Sequence, residues 1–183
     1  MYKVGNMSNI AIFDLDGTLV ETDAANTAAY NDALRSSGLD TIGGFYGRVS
    51  SSVVRAAAFL SDAELDAVVQ AKVEAYCRQL WRTRLGPAVN SFRWVLMNRN
   101  AFDKIVLLTD SKERRAYETL CHWGMDGFFD EIVCNAGRGD KYANYFKNFD
   151  SNPAACVVWE NENKQIMSAI AAGVKMDNIR KVA

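Results

Sequence analysis

Histidine occurs once in the 183 residues, as His122. A Ser-His-Asp triad and a histidine-based zinc site are both poorly supplied by a single imidazole, and His122, beside Trp123, reads as structural. The four cysteines, Cys77, Cys121, Cys134 and Cys156, form no Cys-x-x-Cys pair and no Cys/His cluster with zinc-ligand spacing. They read as reduced core thiols of a cytoplasmic protein. Charge of one sign is not in excess either: 21 Lys and Arg stand against 22 Asp and Glu, for a net charge of −1. This gives no electrostatic case for nucleic acid or a membrane surface as partner. No apolar run approaches the roughly 18 residues of a membrane span, and residues 1–7 lack the apolar segment of a signal peptide. Internal repeats and low-complexity tracts are absent as well.

What is present is a hydrophobic content of 49%, enough for a proper core. Four short, apolar, β-rich runs stand out at 10–13, 104–109, 131–134 and 155–160, with a weaker fifth at 179–182. Helical patterns at 112–123, 142–149 and 164–172 separate the later runs. Strands alternating with helices argue for a parallel sheet covered on both faces. The long stretch between Phe13 and Lys104 carries no convincing strand. It reads as helices at 23–36 and 51–60, then a third running to about residue 81 behind a Ser61–Glu64 capping box. A glycine-rich loop at 43–47 lies between the first two. Gly86 and Pro87 mark the return to the core, and 88–99 reads as a helix leading into the second strand. The expected domains are an α/β core of 1–18 and 86–183 and a helical cap of 19–85.

The run Asn9–Phe13 ends in Asp14-Leu15-Asp16-Gly17-Thr18. Positions i and i+2 of a strand point the same way, so the strand end presents two carboxylates before Gly17 allows a sharp turn. Such a pair calls for a cation or a proton, and offers a carboxylate nucleophile beside a group that can move a proton. In an open parallel sheet ligands bind at the carboxyl ends of the strands, and an insert after this turn is placed to act as a lid. Thr109 ends the second run, where its hydroxyl and the N–H groups of the next turn (Asp110, Ser111) suit a phosphate oxygen. Lys141 follows the third run and suits developing phosphoryl charge, with Arg138 and Lys147 as rivals. Glu160 and Asn161 end the fourth run and offer oxygen ligands suited to Mg²⁺.

Together these motifs resemble the haloacid dehalogenase superfamily, in its phosphoglycolate phosphatase and β-phosphoglucomutase-like branch, over nearly the whole chain. Asp14–Thr18 resembles the first motif, Thr109 the second, and Lys141-Tyr142 the third, where Lys-Pro is usual. Glu160-Asn161, with Ala171-Ala172-Gly173 beyond, resembles the fourth, where Glu-Asp is usual. The resemblance implies an α/β fold, a three-layer Rossmann-like parallel sheet with an inserted small helical cap. It implies Mg²⁺-dependent hydrolysis of a small phosphomonoester through an aspartyl-phosphate. Asp14 would be the nucleophile and Asp16 the acid/base. Gly17, Thr109, Asp110 and Lys141 would hold phosphate, and Asp14, the Asp16 carbonyl, Glu160 and Asn161 the Mg²⁺. Arg48, on the cap loop, is a candidate contact for the substrate's leaving group, with an exposed surface arginine as the rival reading.

Three departures qualify this picture. Asn161 is neutral where an aspartate is usual, which predicts a weak Mg²⁺ site. Asp110 adds negative charge beside the phosphate position and is harmless only if its side chain does not face it. Tyr142 for proline reads as neutral. Arg114 and Arg115 read as solvated helix charges, and Trp81, Trp94 and Trp123 as packing residues. A phosphomutase on a sugar phosphate, and an impaired relative that only binds a phosphorylated ligand, stay open as alternatives. The expected partner is a small phosphorylated metabolite, and the expected state a monomer or homodimer.

Overall fold

The computed structural model describes residues 9–43, 49–149 and 151–182. By compactness the chain divides into two units, one formed by Met1–Val20 with Leu85–Ala183 and the other by Glu21–Arg84.

The first unit is built on five parallel strands. These are β1 (Ile10–Phe13), β4 (Lys104–Thr109), β5 (Glu131–Cys134), β6 (Cys156–Glu160) and β7 (Ile179–Lys181), in the spatial order β5-β4-β1-β6-β7. Two-residue strands β2 (Val20–Glu21) and β3 (Arg84–Leu85) form a separate small sheet. β1 lies between β4 and β6, with Ile10 opposite both Lys104 and Cys156. Because side chains alternate across a strand, the all-apolar β1 feeds two cores at once. Ala11 and Phe13 join Ile105, Leu107 and Trp159 on one face, packed by Phe92 and Val95 of α4 (Val89–Met97) and by Ala116 and Leu120 of α5 (Glu113–His122). Ile10 and Ile12 join Val106, Leu108 and Val158 on the other face, packed by Tyr142 and Tyr145 of α6 (Lys141–Asn148) and by Ala169 of α7 (Asn163–Ala171). Helices on both faces of a parallel sheet make the three-layer α/β architecture expected from the sequence.

The second unit is helical: α1 (Asp23–Ser36), α2 (Ser51–Ala58) and α3 (Asp62–Arg78). The capping box forms, with the Ser61 N–H and hydroxyl both donating to Glu64 and the Glu64 N–H returning to the Ser61 hydroxyl. Tyr30, Leu34, Ile42, Val54 and Val68 make the main core of this unit. One buried cation lies inside it: Lys72 Nζ sits 5.0 Å from the ring centre of Tyr30 and 5.5 Å from that of Tyr76.

Several packing expectations are corrected. Trp81 and Trp94 are 66% and 55% exposed. Arg82 covers a face of Trp81, and Phe102 packs against Trp94 at a steep angle, so each ring is packed in part and left largely open to solvent. All four cysteines are free, but only Cys156 is buried, and Cys121 is exposed on α5. β2 and β3 were not anticipated, being too short to show a periodic pattern.

Candidate active site

β1, β4 and β6 are neighbours, so their carboxyl ends deliver side chains to one place. Asp14 directly follows β1 and is fixed by its own N–H, which donates to the Trp159 carbonyl of β6 at 3.1 Å. Asp16 stands two residues on. Both carboxylates are buried, at 5% and 6% exposure. Gly17 then adopts φ +79°, and a Cβ there would come within 2.2 Å of the Asn161 amide nitrogen. The left-handed backbone favours glycine here, and any side chain would also displace the Asn161 amide.

Lys141, the first residue of α6, reaches this point from the side of the sheet that α6 covers. Its ammonium donates to Asp14 Oδ1 at 2.6 Å and lies 2.8 Å from Glu160 Oε2. The lysine is 2% exposed and Glu160 fully buried. Burial pushes the Asp14 carboxyl up to about 7; Lys141 opposes that rise, and the Glu160 and Asp16 charges add to it. Burial pulls the other way on Lys141, but Asp14 and Glu160 outweigh it and raise the ammonium's pKa above its ordinary value, keeping it charged.

Glu160, expected as a metal ligand, has both oxygens engaged within the protein. Oε1 accepts the N–H groups of Asn161 and Glu162, and Oε2 accepts the Tyr142 hydroxyl at 3.1 Å beside Lys141. Tyr142 is therefore not a neutral replacement. It is fully buried, and its hydroxyl helps hold the carboxylate that holds the lysine.

Asp16 meets a different set. Ser111 Oγ donates to its Oδ2 at 2.5 Å, and an Arg115 Nη donates to its Oδ1. Arg115, expected as a solvated helix charge, is instead an ion-pair partner of the acid/base candidate. Arg114 pairs with Glu118 at the surface, as a helix charge should. Thr109 is fully buried, and its hydroxyl accepts the Ser111 N–H at 3.1 Å. Asp110 is taken up by two neutral amides, Asn135 Nδ2 at 2.7 Å and Gln165 Nε2 at 2.8 Å. Each of its carboxylate oxygens thus accepts a hydrogen bond from a neutral side chain. The structure therefore brings Asp14, Asp16, Gly17, Lys141, Glu160 and Asn161 together, with Thr109 joined to them through Ser111. Arg48 lies outside the described residues.

For a metal ion, the remaining donors are oxygens: the Asp14 carboxylate, the Asp16 carbonyl and the Asn161 amide oxygen. The Asn161 side chain lies against Gly17, and its Oδ1 accepts the Thr18 hydroxyl at 3.2 Å. Among the described residues no group of three Asp, Glu, His or Cys side chains converges on a metal position. An all-oxygen set with one anionic member fits a hard cation such as Mg²⁺ rather than zinc, and fits it weakly.

The chain is similar to known proteins in sequence and in fold. The chain is 25% identical over 183 residues to fructose-1-phosphate phosphatase YqaB of Escherichia coli (strain K12), covering 92% of this chain and 95% of that one. A predicted phosphoglycolate phosphatase from Haemophilus somnus 129pt superposes with a TM-score of 0.75 at 19% identity, covering 93% of this chain and 84% of that one. β-Phosphoglucomutase from Clostridium difficile gives 0.70 at 19% identity, covering 96% and 92%. The described helices contain none long and apolar enough to cross a membrane. The sequence model of the haloacid dehalogenase-like hydrolases matches residues 11–179, and with nearly the whole chain inside that match the protein belongs to this family of hydrolases.

Proposed function

We propose that the protein is a Mg²⁺-dependent phosphatase that hydrolyses a small phosphomonoester through an aspartyl-phosphate on Asp14. The observation that carries this reading is the buried Asp14–Lys141–Glu160 cluster at the carboxyl end of β1, with Asp16 two residues away. Phosphoryl transfer needs little covalent chemistry from a protein beyond positioning and charge neutralisation. Lys141 supplies a fixed positive charge beside the nucleophile, where it serves the transferring phosphoryl oxygens. Thr109 and the N–H groups after it serve the same oxygens from β4.

The steps balance on the residues present. An oxygen of Asp14 attacks phosphorus as the ester P–O bond breaks. Asp16 gives its proton to the departing oxygen. Asp16 then takes a proton from water as that water attacks phosphorus, which releases inorganic phosphate and restores both carboxyl groups. Mg²⁺, held by the Asp14 carboxylate, the Asp16 carbonyl and the Asn161 amide oxygen, would supply further positive charge for the phosphoryl group. The similarity to fructose-1-phosphate phosphatase makes a sugar phosphate the first substrate class to try, for an enzyme working in the cytoplasm.

The test is release of inorganic phosphate from a panel of phosphomonoesters, with Mg²⁺ and with EDTA, for wild type and Asp14→Asn. Turnover that requires Mg²⁺ and disappears in the variant supports the reading. A folded wild type that binds phosphate esters and releases nothing overturns it, and Asn161 becomes the reason to read the protein as a binder.

A further inference from the structure

The side chains of Arg115 and Ser111 have no place in the roles above, yet both touch the residue that must move the proton. They come from the turn after β4 and the first part of α5, four positions apart, and so approach Asp16 together. Their donors differ in kind. A guanidinium is donor-only, whereas a serine hydroxyl either donates or accepts. While Arg115 donates to Oδ1, that oxygen has to accept and is a poor seat for the exchangeable proton. Oδ2, facing Ser111, keeps a compatible partner whether or not it is protonated.

We propose that Arg115 is a positioning residue for the reaction. It fixes the Asp16 carboxyl group through Oδ1, so that Oδ2, beside Ser111, is the oxygen that gives and takes the proton. This rests on the phosphatase reading. Three features support it. The Arg115 and Asp16 side chains are 17% and 6% exposed, so water competes little for either. Asp16 lies on a turn rather than within a strand, and its rotamer needs outside support. The turn after β4 also ties Ser111 to Thr109 through the 3.1 Å contact between the Ser111 N–H and the threonine hydroxyl. The β4–α5 junction thus links the candidate phosphate contact to the orientation of the acid/base.

The test separates proton transfer from all other functions by the leaving group. An alkyl phosphate needs a proton on its departing oxygen, whereas p-nitrophenyl phosphate releases a stable anion with little help. In single-turnover release of the leaving group, which precedes the water step that both substrates share, Arg115→Ala is expected to lose about 100-fold in rate on an alkyl phosphate, within the range attributed to general acid–base catalysis, and under about tenfold on p-nitrophenyl phosphate. KM should change little on either substrate. Partial recovery on adding guanidinium, or in Arg115→Lys, would support the assignment. Equal losses on both substrates, or a loss confined to KM, would overturn it, since they describe a structural or phosphate-binding role. Should Arg115→Ala fail to fold, Arg115→Gln is compared in the same way. A wild type inactive on every ester would defeat the phosphatase reading instead. The positioning claim is then decided by the ¹³C carboxyl shift of Asp16, which should move between wild type and Arg115→Gln; an unmoved signal rejects it.

Discussion

Asp14 and Asp16 stand two residues apart on one turn, equally buried, and each is met by a cation. The cations differ in every other respect. Lys141 is 2% exposed and shared between two carboxylates, Asp14 and Glu160. Glu160 is in turn held by a tyrosine hydroxyl and two backbone N–H groups. Arg115 is more open to solvent, and its partner Asp16 also accepts a serine hydroxyl. On the proposed mechanism, the contrast follows what each carboxylate would do. A nucleophile approached by an anionic phosphate needs a positive charge that does not leave. An acid/base has to change its protonation while staying in place, and suits a partner set that leaves one oxygen adaptable.

Breaking the first cluster should have the largest effect. Lys141→Met leaves Asp14 and Glu160 buried without their cation, and removing one member of a buried ion pair costs about 3–5 kcal/mol. Chemical denaturation should show that loss, together with loss of phosphate release. A Lys141→Met protein as stable as wild type would show that the cluster is not tightly coupled. Adding a charge where the pattern lacks one comes next. Asn161→Asp should lower the Mg²⁺ concentration needed for half-maximal activity by about tenfold, since affinity for hard cations follows ligand charge. An unchanged Mg²⁺ titration would place residue 161 outside the metal's reach.

A pH series sharpens the same contrast. Burial holds the Asp14 carboxyl near 7, above its ordinary 3.8. Between those values the folded protein binds more protons than the unfolded chain, so this group's contribution to stability falls as pH rises through about 7. Asp14→Asn removes the titration. In EDTA, its melting temperature relative to wild type should therefore climb from pH 5 to pH 8; a flat difference would mean that Asp14 is ionised throughout. The smallest expected change is Tyr142→Phe, which removes one hydrogen bond to Glu160 and should cost about 1 kcal/mol in a denaturation curve.

The sheet was legible because its signal is local. The five strand runs fall within a residue or so of β1, β4, β5, β6 and β7, since buried parallel strands are short and continuously apolar. Asp14, Asp16, Thr109 and Glu160 were legible as residues at or just past strand ends, where the topology gathers side chains, and Lys141 as a cation in the segment after the third run. The partners they chose were not. Arg115 lies 99 positions from Asp16, and nothing in the pattern of α5 distinguishes its inward arginine from the outward Arg114 beside it. Tyr142 seemed a harmless substitute for proline because its apolar ring satisfies the core; its hydroxyl matters only once Glu160 is known to lie within reach. Glu160 looked like a ligand because a carboxylate at a strand end is chemically ambiguous until its hydrogen bonds are counted.

Gly86 carries a consequence of another kind. Its N–H donates to the Leu19 carbonyl at 2.7 Å, and the Ala88 N–H donates to the Thr18 carbonyl at 3.0 Å. A Cβ on Gly86 would lie 2.3 Å from the Thr18 oxygen. The chain therefore leaves the sheet-bearing unit and re-enters it at a point where the two backbones are hydrogen-bonded to each other. Because loop-closure cost grows only slowly with length, such a junction tolerates segments of very different size between the same two ends. The two ends of the intervening segment are thereby held side by side whatever its length, so long as residue 86 carries no Cβ.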